Sequence, residues 1–151
     1  MTARDIMITD VPVIHPDVPA PDAIRRLKEN YGDSTYINAA PGMIVVDDAG
    51  NLKGILSPLS IIRALVEEAE DTSKPFDQSF FDSLCMKLTD RKVSDIMDWQ
   101  AISVTPDATL FEIAELFVSH RFHRIPVVEG HRVVGIIYRS RVLFAMTSCF
   151  T

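Results

Sequence analysis

Apolar residues at Ala20, Ala23, Ile24 and Leu27, and again at Leu110, Ile113, Ala114 and Phe117, follow the i, i+3, i+4, i+7 spacing of a helix that buries one face. In the second stretch Thr109 and Glu112 form a T-x-x-E capping box at the helix start. Each helical pattern is followed, after an interval, by two short β-rich runs around a Gly-containing turn. These are "MIVVDDAGNLKGIL", with strands expected at 44–46 and 52–56, and "IPVVEGHRVVGII", with strands expected at 125–128 and 133–137. A closing helix is expected in both places, at "SIIRALVEEAE" and "RVLFAM", with Ile62 and Leu65 opposite Leu143 and Met146. Between them, 71–92 begins polar and then carries Phe80, Phe81, Leu84, Cys85 and Leu88 at helical spacing. That pattern predicts a loop and one connecting helix docked through its Phe face.

These parallels are one duplication. "DIM" at 5–7 recurs at 95–97, an offset of 90, and Pro16-Asp17 matches Pro106-Asp107. Extra residues in the first copy, about 30–41, reduce the offset to 82 at Val45 and Val127 and to 81 at Gly54 and Gly135. The expected organisation is a first repeat at 1–70, a linker at 71–92 and a second repeat at 93–151. Each repeat reads β-α-β-β-α, an α+β class. A unit of about 55–65 residues buries little apolar surface, so the two are expected to cover each other's sheets about a pseudo-twofold axis and neither to fold alone. Asp17 and Asp107 occupy equivalent places at the starts of the first helices and read as caps, not as a catalytic pair.

Composition narrows the function. A formal charge of −6 and a pI near 5.1 oppose broad nucleic-acid affinity, although "RFHR" at 121–124, with Arg132, Arg139 and Arg141, concentrates positive charge late in the chain. No apolar run reaches the roughly 18–20 residues that cross a bilayer, and the first residues lack a signal-peptide order, so a cytoplasmic protein without a membrane partner is expected. Cys85 and Cys149 are too few for a disulfide framework. His120 and His123 lack further ligands at metal spacing, and neither a nucleophile-base grouping nor a phosphate-loop motif is present, so no enzyme is expected.

The duplicated pattern resembles paired CBS domains, the Bateman module named after cystathionine beta-synthase. The likeness is closest over "VSDIMDWQAISVTPDATLFEIAELFVSHRFHRIPVVEGHRVVGIIYRSRVL". The resemblance implies clefts between the repeats that take adenosyl compounds: AMP, ADP, ATP or S-adenosylmethionine. The family's signature is Gly, two apolar residues, Ser or Thr, two residues and Asp, whose hydroxyl and carboxylate hold a ribose. Gly54, Ile55, Leu56 and Ser57 fit, but Ser60 stands at the acid position. The second copy has Tyr138 at the hydroxyl and Arg141 at the acid, and an Arg cannot accept from a ribose diol. Arg139 and Arg141 could face a phosphate or another anion.

By the same resemblance the Ser57 cleft takes Ile55, Ser57 and Ser60 from one repeat and Ser94, Trp99, Phe122, His123 and Arg124 from the other. Trp99 would stack on a base, and His123 with Arg124 would face phosphate. The opposite, weaker cleft joins Thr9, Pro41 and Gly42 to His123, Arg124, Ile136, Tyr138, Arg139 and Arg141. Each residue keeps a structural alternative: Ser57 as a helix cap only, Trp99 as a core or dimer-face aromatic, and His123 as a wall hydrogen-bonder. The implied function is a non-enzymatic sensor acting on an unidentified protein, or else a ligand-free scaffold for dimerisation. A homodimer is expected, formed through helix faces around 24–27 and 62–66 and their counterparts.

Overall fold

The computed structural model describes residues 1–29, 42–70, 75–99 and 102–150, so the expected insertion at 30–41 lies outside the described residues. The elements are α1 (Ala3–Ile6), β1 (Val13–Ile14), α2 (Ala20–Glu29), β2 (Met43–Val46), β3 (Leu52–Leu56), α3 (Pro58–Glu68) and α4 (Gln78–Met86). They continue with α5 (Val93–Ile96), α6 (Leu110–His120), β4 (Arg124–Glu129), β5 (Arg132–Tyr138), α7 (Arg139–Met146) and a last 3-10 turn, Ser148–Phe150. The fold is α+β, with two small sheets. One has the order β1-β2-β3, β1 parallel and β3 antiparallel to β2, and the other is the antiparallel pair β4-β5.

The repeated "DIM" motif has a physical reason. Asp5 and Asp95 each accept the backbone N–H three residues upstream, from Thr2 at 2.8 Å and Lys92 at 2.9 Å, and so cap the one-turn helices α1 and α5. Ile6 and Ile96 are buried, but in each other's repeat. Ala3 and Ile6 join the core of Ile113, Phe117, Ile125, Val127 and Ile137, while Val93, Ile96 and Met97 join that of Ala23, Leu27, Val45 and Leu56.

Backbone bonds hold this exchange symmetrically. Ala3 N–H donates to Ala108 O (2.8 Å) and Arg4 N–H to Pro106 O (3.1 Å); their counterparts Val93 N–H and Ser94 N–H donate to Val18 O (2.9 Å) and Pro16 O (3.0 Å). A third core, Ile44, Ile136 and Tyr138 with Ile8, Val11, Val46, Leu52, Ile55 and Val133 packed on it, lies between the sheets.

Both long amphipathic helices form where their periodicity places them, with Ala20, Ala23 and Leu27 or Ile113 and Phe117 buried. The Thr109 box closes reciprocally, Glu112 N–H donating to Thr109 Oγ1 at 3.2 Å and Thr109 N–H to Glu112 at 2.9 Å.

Four expectations are corrected. The leading strand of the second repeat shrinks to one parallel bridge, Val104 to Val127. Asp17 and Asp107 are not caps: Thr109 caps α6, Asp107 lies 3.7 Å from Arg4, and Asp17 approaches His15 and Lys92. Helix α4 buries none of its residues; Phe76, Phe80 and Phe81 meet edge to face among themselves, and only Leu88, beyond the helix, enters the core. Leu27 is buried and Ile24 packs on its own core, so that face is not open to a second chain.

Candidate functional site at the junction of the repeats

Each cleft is assembled from three chain ends, and backbone pairing brings them together. On one side Ile55 and Asp98 bridge, Ile55 N–H donating to Asp98 O at 3.0 Å and Asp98 N–H to Ile55 O at 2.9 Å. This lays the Asp98–Trp99 segment of the second repeat along the end of β3, two residues before Ser57. Val104 pairs with β4 through Val104 N–H to Pro126 O (3.0 Å), and Phe122, His123 and Arg124 stand at the start of that strand. The second cleft repeats the plan. Ile8 and Ile136 exchange bonds of 2.8 and 2.9 Å, and Ile44 N–H donates to Pro12 O at 2.9 Å, so Thr9 and Asp10 run between the end of β5 and Gly42 at the start of β2.

The glycine of the expected ligand signature serves this exchange. A β-carbon on Gly54 would overlap the Asp98 carbonyl oxygen and lie 3.0 Å from Met97 Sδ; on Gly135 it would lie 2.7 Å from Met7 Sδ. At Gly54 only hydrogen fits, because the obstacle is backbone; at Gly135 a methyl would have to displace the Met7 side chain.

Ser57 caps α3. Ser60 N–H donates to Ser57 Oγ at 3.2 Å, Ser57 N–H to Ser60 Oγ at 2.9 Å, and the Ser60 hydroxyl to Ser57 O at 2.9 Å. The hydroxyl-x-x-acid spacing of the ribose signature is also the spacing of a capping box, and Ser60, buried at 4% exposure, uses its oxygen for the box. Ser57 itself is half-buried. Trp99 is 62% exposed, its indole N–H donating to Ser94 O at 3.2 Å, so it is neither a core aromatic nor free to turn.

The basic turn is positioned by Arg121, which ends α6 in the left-handed conformation (φ 55°, ψ 37°) and donates its N–H to Phe117 O at 2.9 Å. Phe122 then packs against the second core and stacks on His120. His123 Nδ1 accepts from Arg139 Nη2 at 2.8 Å. Partial burial, then the charges of Arg139 and Arg124, hold the imidazole below its usual pKa.

Arg124 is 5% exposed, and its guanidinium lies across the pseudo-twofold against Gly42. A β-carbon there would overlap Nη1 and sit 2.6 Å from Cζ. Tyr138 faces Arg124 in the ladder at 6% exposure; burial raises its phenol pKa, partly opposed by Arg124 and reinforced by Asp10. Arg141 Nε donates to Ile6 O at 3.3 Å, a cation at the end of α1. The sequence reading did not single out Asp10, or Asp98 as a strand partner. Their positions just after the repeated "DIM" are the signal that finds them.

The CBS domain pattern matches residues 3–67 and 93–148. The chain belongs to the CBS domain family. It carries a CBS pair and is 29% identical to the protein MJ1426 of Methanocaldococcus jannaschii over 97% of this chain and 91% of that one. Among solved structures it is similar to Arabidopsis thaliana CBSX2 in complex with AMP, with a TM-score of 0.71, 25% identity and 97% of each chain covered. It is also similar to the cytosolic domain of the Mg2+ channel MgtE in complex with ATP, with a TM-score of 0.62 and 26% identity over 92% of this chain and 46% of that one. Among the described residues no group of three or more His, Cys, Asp or Glu could hold a metal ion, and no helix is long and apolar enough to cross a membrane.

Proposed function

We propose that this CBS pair is a non-enzymatic, cytoplasmic sensor that takes an adenosyl nucleotide, such as AMP, ADP or ATP, or S-adenosylmethionine, in the Ser57 cleft. The observation that carries the reading is the Ile55–Asp98 bridge, which lays the Asp98–Trp99 segment of one repeat along the end of β3 of the other, two residues before Ser57. The likeness to an AMP-bound chain over 97% of both lengths supports the ligand class. In this reading Trp99 offers a π-face to the base, Ser57 a hydroxyl to the sugar, and the turn at 122–124 the donors that face the phosphate, its neutral His123 through a ring N–H and Arg124 through its charge. Binding shifts the regulated protein only insofar as the nucleotide prefers one arrangement of the pair.

A thermal-shift series with AMP, ADP, ATP, S-adenosylmethionine and NAD tests it. A true ligand at 100 times its dissociation constant adds about 2.7 kcal/mol of stability. Ser57→Gly keeps most of the helix cap, within a few tenths of a kcal/mol, yet loses a ligand hydrogen bond of about 0.5–1.5 kcal/mol, so affinity falls more than stability. Ser60→Asp restores the acceptor and tightens ribose ligands more than deoxyribose ones.

The mutual satisfaction of Ser57 and Ser60 favours a second reading, a ligand-free scaffold that dimerises. Exposed Ile62 and Val66 on α3 and Leu143, Phe144 and Met146 on α7 supply apolar faces for a homodimer. A dimer by sedimentation that no nucleotide stabilises, and in which Ser60→Asp creates no site, selects that reading.

A further inference from the structure

The repeated Asp-Ile-Met places two methionines at equivalent points, and burial separates them. Met7 and Met97 each follow a one-turn helix that the chain lends to the other repeat, and each lays its side chain on a strand glycine. A β-carbon on Gly135 would lie 2.7, 3.0 and 3.2 Å from Met7 Sδ, Cγ and Cβ, so most of that side chain runs over the strand. On one side of Met7 in the chain Ile6 is buried in the second core, and on the other Ile8 exchanges backbone bonds with Ile136. Met97 stands in the same relation to Gly54, with Sδ 3.0 Å from a β-carbon there, but it is 7% exposed and belongs to the first core. Met7 is half-buried and packs against the second core, so of the two clasps it is the one that solvent reaches.

We propose that Met7 is an oxidation site, and that a peroxide acting there loosens α1 from the second repeat. The sulfur lone pair takes one oxygen atom from hydrogen peroxide, the O–O bond breaks, the sulfur is oxidised by two electrons and water leaves. The thioether is apolar and pliable, whereas the sulfoxide is polar and accepts hydrogen bonds. The core that Met7 packs against is made of Ala3, Ile6, Ile113, Phe117 and other apolar side chains, which have no donor to offer it. The oxidised side chain therefore leaves Gly135 for water, and the clasp of α1 on β5 weakens up to the Ile8–Ile136 pair. The first repeat keeps its buried Met97, so the effect is one-sided. Methionine sulfoxide reductase reverses it. None of this depends on nucleotide binding.

The test treats the full chain with limited hydrogen peroxide, in a background of Met86→Leu and Met146→Leu that removes two exposed methionines and keeps Met1 as an exposed reference. Peptide mapping by mass spectrometry is expected to find sulfoxide at Met7 before Met97 and Met43, which are both buried. Amide hydrogen exchange of the oxidised chain is expected to lose protection at Ile8 and Ile136 and to keep it at the equivalent pair, Ile55 and Asp98. Methionine sulfoxide reductases A and B are expected to return the lost protection. Met7→Leu, apolar and of similar size but without sulfur, is expected to show no loss after peroxide. Sulfoxide forming at Met7 no earlier than at Met97, or an oxidised Met7 with protection at Ile8 and Ile136 unchanged, overturns the proposal. So does the same loss after peroxide in Met7→Leu. If that variant does not fold, the first two measurements, made with the native Met7, decide alone.

Discussion

The ends of β3 and β5 are equivalent by duplication, and they have diverged in opposite directions. At Ser57 the chain has a small hydroxyl that caps α3, with the exposed Trp99 on the segment paired to the end of β3. At Tyr138 it installed a large aromatic without a side-chain cap and drew Arg124 over the glycine opposite. The cores beneath show no such divergence, because each is completed by a one-turn helix from the other repeat through the same pair of backbone bonds. A duplicated fold can thus vary its clefts freely while its exchanged helices stay fixed, since losing one of those exposes a whole core.

The largest expected effect strikes that shared part. Ile6→Ala and Ile96→Ala each empty a buried site, at 5% and 4% exposure, in the repeat they visit. Each should cost about 2–5 kcal/mol in a urea melt, by similar amounts. Residues 93–151 expressed alone lack Ala3 and Ile6 and leave α5 without its core, so no cooperative transition is expected. A cooperative monomeric melt of that fragment, or a cost under about 1 kcal/mol for one isoleucine alone, would break the equivalence of the cores.

A smaller effect separates the two glycines. In Gly54→Ala the new methyl meets the Asp98 backbone carbonyl, which cannot move without breaking the Ile55–Asp98 bridge. In Gly135→Ala it meets Met7 Sδ, the end of an unbranched side chain with several rotatable bonds. Overpacking of this kind costs about 1–3 kcal/mol, with Gly54→Ala at the upper end and Gly135→Ala at the lower. The reverse order of the two melting midpoints would mean that the exchanged segments are held differently from the pairing described.

How much of this was legible in the sequence follows from the range of each interaction. Helical spacing, hairpin turns and the Thr109 box are local, and they placed α2, α6 and both hairpins. The duplication gave the pairing of the repeats. The exchange of α1 and α5 was hidden because a four-residue helix has too short an apolar pattern to register, although the repeated Asp-Ile-Met marked both places. The Phe-rich spacing of 80–88 was real as helix and misleading as burial, because an apolar stripe does not say what covers it. At the site, the residues of the first cleft are what the resemblance implies. The resemblance also joined Gly42 to Arg124 across 82 positions of chain, and the guanidinium lies against that glycine; that it sits close enough to exclude a β-carbon was not legible.

The smallest expected effect reads the electrostatics at the start of β4. Arg139 donates to His123 Nδ1, which requires that nitrogen to be unprotonated, and its charge adds to partial burial and to Arg124 in lowering the ring's pKa. A histidine whose folded pKa is depressed binds its proton more readily when unfolded. Below the unfolded value near 6.5 the unfolded chain therefore holds more protons, and this group makes stability fall as the pH drops into that window. In Arg139→Ala one repulsive charge and the donor are gone, while burial and Arg124 remain. The His123 ring protons, followed by NMR against those of His15, His120 and His131, should titrate at higher pH than in the parent and stay below the ordinary value. The acid-side loss of stability should shrink with it. A titration left in place, or moved lower, would mean that Arg139 does not hold the ring neutral and that burial and Arg124 set its pKa.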